Sequence, residues 1–205
     1  MPGPGRPREF DRTSALDAAV RVFWRQGYEG TSLRDLTAAM GIGRPSLYAA
    51  FGGKEQLFRA VVARYRETEM AYVRAALDRP TAHEVAEALL HGQLDALRRP
   101  GLPAGCLSVQ GAAAVSAGNA GVAEFLAAGR LAGEAALAER FARAVDEGDL
   151  PPGTDPAALA RFLQVVLEGQ AVHAAAGVGS ADLARSAELA LRAVPAGGRR
   201  RRAPR

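Results

Sequence analysis

The sequence predicts an all-α protein, and three observations carry this. Alanine, leucine and arginine are abundant and β-branched residues sparse, a composition that favours helix. Apolar residues recur at three- and four-residue intervals in one segment after another, and no long stretch alternates with the two-residue period of a strand. Glycines and capping residues divide the chain into helix-length pieces. The 205 residues, 48% of them hydrophobic, are enough for a sizeable core.

Each element follows from local chemistry. Residues 1–11 are expected to form a disordered basic arm, rich in proline, glycine and arginine. Thr13 or Ser14 can cap a first helix, whose apolar face is Leu16, Ala19, Val20, Phe23 and Trp24. Gly27 ends it, because glycine takes the left-handed conformation cheaply. Thr31-Ser-Leu-Arg-Asp35 sets an acid three residues after a hydroxyl, a capping-box pattern. Leu33, Leu36 and Met40 then mark a short second helix, closed by Gly41. After the tight turn Gly41-Ile42-Gly43, a third helix starts near Arg44 and carries Leu47 and Phe51 on one side. Pro45 falls in its first turn, where a missing N–H costs nothing.

Gly52-Gly53 breaks the chain again. From Lys54, the sole lysine, the pattern Leu57, Phe58, Val61, Val62 and Tyr65 begins a longer helix, expected to continue through Val73 to Leu77. Thr81 and Glu84 form another capping signature, leading a helix to about Leu97. A loop over 98–105 follows, then helices at about 106–117, 120–147, 155–176 and 180–194. Residues 195–205 hold an arginine run, Arg199–Arg202, with no apolar anchor, and are expected to be disordered.

The charge is unevenly spread. Residues 1–66 carry eleven Arg/Lys against six Asp/Glu, a net +5. Residues 67–198 carry ten against sixteen, a net −6, and residues 199–205 add five arginines. A basic N-terminal third suits a polyanion, which charge alone leaves as nucleic acid or an anionic membrane surface. The longest uncharged stretch, Pro100 to Ala123, is too polar and too broken to span a bilayer. The N-terminus has no apolar signal segment, and the single cysteine, Cys106, excludes an intramolecular disulfide. A soluble cytoplasmic protein is expected.

Three short helices within residues 13–51, the second and third joined by a glycine turn, have the form of a helix-turn-helix. Leu33, Leu36, Ile42, Leu47 and Phe51 would close a small core with Val20, Phe23 and Trp24, leaving Arg44, Ser46, Tyr48 and Ala49 outward on the third helix. A short helix tip with an arginine, a hydroxyl and a tyrosine can enter the major groove and meet phosphates along its edge. Ala49 allows close approach to a base or a thymine methyl group. Lys54 would add its charge to the free N–H groups at the next helix start. The spacing alone is equally compatible with Tyr48 and Phe51 both in the core and Lys54 as a solvated charge.

The residues Phe23, Gly27-Tyr28, Thr31-Ser-Leu33, Asp35-Leu36, Ala39, Gly41-Ile42, Leu47-Tyr48, Phe51 and Lys54-Glu55-Gln-Leu57 resemble the N-terminal signature of the TetR family of transcriptional regulators. The match is dense and in order over about residues 12–58. The resemblance implies a DNA-binding domain over 12–53 and a helical ligand-binding and dimerisation domain over 54–194. It implies a homodimer on a palindromic double-stranded operator, usually repressing, released by a small-molecule effector in the C-terminal domain. By position, residues 44–50 form the recognition helix. Thr31, Tyr48 and Lys54 match phosphate-holding positions. Arg44, Pro45 and Ser46 match positions near base edges, and Ser32 lies beside them in the signature. Two departures stand out: Gly43 replaces the usual hydroxyl cap, and Ala49 replaces a common polar residue. Arg6, Arg8 and Arg12 precede the first helix and could follow phosphates or a minor groove, or simply solubilise the leader.

In the acidic remainder, His91, Gln93, Gln110, Gln164, Gln170 and His173 are candidate polar groups of an effector pocket, with Cys106 and Phe125. Each alone is equally at home on the surface or in a satisfied core. Charges are few over 100–123, so a small, mostly apolar or neutral effector is expected rather than an ionic one. Cys106 lies where a helix would begin, a position that can activate a thiol, or it is a small packed residue. The resemblance places a dimer interface on the last two helices. No metal site is expected, since the three histidines and one cysteine lack ligand spacing, and no cofactor. No G-x-S-x-G or phosphate-binding loop is present: Gly52-Gly53-Lys54 is followed by glutamate, not serine or threonine. An enzyme is therefore not expected.

Overall fold

The computed structural model describes residues 11–111 and 115–195. The arm residues Arg6 and Arg8 and the arginine run Arg199–Arg202 lie outside them. Among the described residues every regular element is a helix.

Helix α1 (Arg12–Gly30) is capped by Asp11, whose carboxylate accepts from the Thr13 amide at 3.0 Å and from the Ser14 hydroxyl. Thr13 and Ser14, expected as caps, therefore sit inside the first turn. An aspartate can accept both bonds at once, which moves the helix start one step earlier. Its buried side is Ala15, Ala19, Val20, Phe23 and Trp24. Gly27, at φ 68° and ψ 178°, interrupts the helix as expected, and a last turn returns Tyr28 to the core. There Phe58 meets Phe23 edge-on at 5.0 Å between ring centroids and Tyr28 at 5.2 Å.

Helix α2 (Leu33–Met40) has a complete capping box. The Ser32 hydroxyl accepts from the Asp35 amide at 3.1 Å, and the Asp35 carboxylate accepts from the Ser32 amide at 3.0 Å. Helix α3 (Arg44–Phe51) starts from Gly43, which supplies no side-chain cap. It ends at Gly52 and Gly53, with φ of 81° and 138°. Two successive positive-φ residues suit only glycine, and they separate α3 from helix α4 (Lys54–Thr68).

The long helix expected to run on to Leu77 breaks after α4. Helix α5 (Ala71–Leu77) begins anew beyond Met70. The break coincides with a long-range contact that periodicity cannot reveal. Arg99 donates to the Glu69 carbonyl at 2.9 Å and pairs with its carboxylate at 2.7 Å. Val73 then bonds to the Met70 carbonyl at 3.0 Å.

Helix α6 (Ala82–Leu97) is capped by Thr81, which accepts from the Glu84 amide at 3.2 Å. Helix α7 (Leu107–Gln110) is one turn, shorter than the expected 106–117; part of that span, 112–114, is outside the described residues. A 3-10 turn, Ala117–Asn119, leads into α8 (Ala120–Asp146). Helix α9 (Pro156–Ala175), capped by Asp155, and α10 (Ser180–Ala193) complete the chain.

Two apolar clusters organise the packing. The first joins α1, α2 and α3 to the inner face of α4 and reaches Leu107, Val122 and Leu126. The second joins α5 and α6 to the C-terminal half of α8, α9 and α10. Helix α8 contributes to both, so it spans from the N-terminal head to the C-terminal bundle.

Candidate nucleic-acid interface and effector cavity

Helix α3 is divided by its own pattern. Leu47 is fully buried and Phe51 nearly so, while Arg44, Pro45, Ser46, Tyr48 and Ala49 are exposed. Tyr48 is 52% exposed, far out for an aromatic ring. The two aromatics thus separate as expected, one inward and one outward. A Cβ at Gly53 would stand 3.6 Å from the Tyr48 ring, an ordinary contact, so glycine is needed there for its φ of 138° and the ring lies against this turn. Five predicted contact residues are therefore exposed on α3, and Arg44, Pro45 and Ser46 among them form its first turn.

Lys54 flanks this face at the first turn of α4. Its Nζ lies 4.3 Å from the centroid of the Tyr28 ring, within cation–π range. Partial burial pulls its pKa down, and nearby Glu29 works in the opposite direction. Glu29 is itself tied to the start of α8. It accepts from the Ser116 amide at 2.7 Å and from the Asn119 side chain at 2.9 Å. These bonds, Asn119 first and Ser116 next, bring its pKa down to about 2. Arg59 adds a second tie, reaching the Gly121 carbonyl at 3.4 Å and covering the Phe125 ring at 4.7 Å.

Ser32 is exposed beside this face, although its hydroxyl is engaged with Asp35. Thr31 stands apart from the set: it is buried, and its hydroxyl donates to the Gly27 carbonyl at 2.6 Å. Arg12 belongs to α1, with its guanidinium 5.1 Å from the centroid of the Phe51 ring.

A cavity of about 250 Å³ opens where α4–α9 converge. Of the expected pocket residues, Cys106 and Gln164 line it, as does Gln93. Gln93 donates to the Leu167 carbonyl at 2.6 Å and accepts from the Tyr72 hydroxyl at 3.4 Å. Burial pushes the Tyr72 and Tyr65 hydroxyls up, and the neighbouring Cys106 adds to both shifts.

The remaining expected pocket residues are elsewhere. His91 is exposed in an outer groove, and His173 is exposed between α9 and α10. The Gln110 amide folds beneath Gly105, where it occupies the space a Cβ would need. Phe125 packs at the junction of head and bundle. Gln170 is buried structurally, donating to the Leu183 carbonyl at 3.2 Å.

The cavity also has charged walls, Arg66, Arg130 and Glu168, that lie outside the uncharged stretch 100–123. Periodicity could not single them out, because arginine and glutamate at helix positions read as solvent-facing. One signal was available: Gly129 and Gly133, one turn apart inside α8, both line the cavity.

Residues 15–61 match the family described as bacterial regulatory proteins, tetR family, and residues 82–191 match a tetracyclin repressor-like C-terminal domain. The chain belongs to the TetR family of transcriptional regulators. It is a regulator, not an enzyme. Across 193 residues it is 33% identical to the HTH-type transcriptional repressor ComR of Escherichia coli, covering 93% of this chain and 92% of ComR. It is 40% identical over 113 residues to the repressor BdcR of the same organism, 53% of this chain and 55% of BdcR. Among solved structures, a cysteine mutant of the TetR family regulator CifR, complexed with 26-bp operator DNA, aligns with a TM-score of 0.87. The identity is 43%, over 93% of this chain and all of that one. Among the described residues no helix is long and apolar enough to cross a membrane.

Proposed function

We propose that this TetR-family regulator is a repressor that binds a palindromic operator as a homodimer and is released by a small, mostly apolar effector held in its C-terminal bundle. The observation that carries the DNA part is the division of α3, with Leu47 and Phe51 inward and Arg44, Pro45, Ser46, Tyr48 and Ala49 outward. Arg44 and Ser46 read base edges from the tip of α3, with Pro45 and Ala49 as close apolar contacts. Tyr48, Ser32 and Lys54 hold flanking phosphates, and Arg12 extends that contact along the backbone. Thr31 acts from inside, fixing the α1–α2 turn through its bond to the Gly27 carbonyl.

Dimerisation is supported by an apolar face left exposed on α9 and α10: Phe162, Val165, Val172 and Leu189. Three of these recur at helical spacing on one side of α9. The effector reading is supported by the cavity and by α8, which touches both the cavity and the Glu29 tie to the head.

The test is binding of the purified chain to its own upstream DNA. Saturable retardation of one fragment, resistant to excess unrelated DNA, is expected, with a footprint of two inverted half-sites. Binding that is indifferent to sequence, or none, overturns the operator reading.

A further inference from the structure

We infer that the effector is amphipathic, with a single anionic group of the carboxylate type that seats on Arg66 while its hydrocarbon part fills the cavity; this rests on the effector reading above. Most of the wall is apolar, including Met70, Val73, Leu77, Leu89 and Leu137. Its three charges are not equivalent. Arg130 approaches Glu168 at 3.9 Å, and the same Glu168 oxygen accepts from Gln164 at 2.9 Å. That acid already has two partners inside the wall. Arg66, an exposed residue in the last turn of α4 at the cavity's mouth, makes no ion pair among the described residues. The cavity therefore offers one uncompensated positive charge beside an apolar space, the complement of a monoanionic hydrocarbon.

Helix α8 is shaped around this group. A Cβ at position 129 would collide with the Arg66 guanidinium, so Gly129 provides the groove in which it lies. Gly133, one turn further on, faces open space. Glycine is unfavourable inside a helix, and here both glycines line the cavity and an outer groove between α5 and α8. Arg66, Met70, Val73 and Leu77 also line both, so Arg66 stands on the wall that the two spaces share. Glu67 and Arg74 flank the outer groove. An anion entering by this route meets Arg66 at the threshold, and its tail passes inward toward Cys106.

The test uses the full chain and three matched probe series: straight-chain carboxylates from butanoate to decanoate, the corresponding alcohols and the corresponding amines. Thermal shift reads binding without DNA, and gel shift of the preformed operator complex reads release. The best carboxylate is expected to raise the melting temperature and to act at a concentration about tenfold or more below its alcohol, the scale of one charge-assisted hydrogen bond. Arg66→Gln should abolish that preference while leaving the response to the alcohol and the affinity for DNA unchanged. Gly129→Ala should weaken the carboxylate by displacing the guanidinium. Equal potency of carboxylate and alcohol, no response to any series, or a preference unchanged in Arg66→Gln overturns the inference. Preference for the amine also overturns it, and assigns the polar end to Glu168. A carboxylate-specific thermal shift in a protein that fails to bind operator would leave this inference standing and sink the repressor reading instead.

Discussion

At the scale of single residues, the head is decided by which side chains α3 turns inward. Arg44→Ala should weaken operator binding by about 1–3 kcal/mol and also relax sequence preference, because it removes a base-edge contact. Tyr48→Ala and Lys54→Ala should weaken binding to every sequence alike, with the salt dependence falling by about one phosphate each. Gel shifts on the operator and on scrambled DNA at several salt concentrations separate the two behaviours. Identical behaviour of all three variants and wild type would show that α3 is not the reading helix. Phe58 plays the opposite part. It is fully buried between Phe23 and Tyr28, and Phe58→Ala should cost about 3–5 kcal/mol by chemical denaturation. The inward side of Leu47 and Phe51 was legible from helical spacing, but spacing left Tyr48 open between core and surface, and only the resemblance to the family signature turned it outward. The inward turn of Thr31 was not legible. Its bond to the Gly27 carbonyl depends on the left-handed kink at Gly27, a three-dimensional fact.

At the scale of elements, local signals served well where the chain caps itself and failed where a distant side chain intervenes. The Ser32–Asp35 box and the Gly52-Gly53 break could be read directly. The division between α4 and α5 could not, because the Glu69 carbonyl there is taken by Arg99, thirty residues away in sequence. For the same reason the cavity was only half legible: Cys106 and Gln164 were identified from their own segments, but Arg66 arrives from α4. The tie between the end of α1 and the start of α8 gives a pH prediction. Glu29 has its pKa depressed to about 2 from 4.5, so its ionised form is favoured by folding. Its contribution is present in full above about 4.5 and is lost as pH falls toward 2. The protection factor of the Ser116 amide, its exchange relative to the intrinsic rate at each pH, should therefore fall across that window, and Glu29→Gln should show low protection there at neutral pH already. Protection that is high and identical in both proteins would rule out the tie as a structural link.

For the whole molecule, assembly and signalling share the C-terminal bundle. Val165→Arg with Val172→Arg should convert a dimer to a monomer in sedimentation, with melting of the isolated subunit little changed, since both side chains are more than half exposed. Operator affinity should fall with it, because two half-sites must be held together. A dimer that survives both charges would exclude α9 as its interface. A practical consequence comes from the contact chain between head and cavity. Trp24 is the sole tryptophan, and its indole meets the Tyr65 ring edge-on at 4.9 Å; the Tyr65 hydroxyl neighbours the cavity thiol of Cys106. Indole fluorescence, excited where the four tyrosines do not absorb, is therefore a one-site signal, placed in the DNA-binding head and linked through Tyr65 to the cavity wall. A shift in indole emission on adding a compound would report, with no label attached, that occupancy of the bundle has been felt in the head.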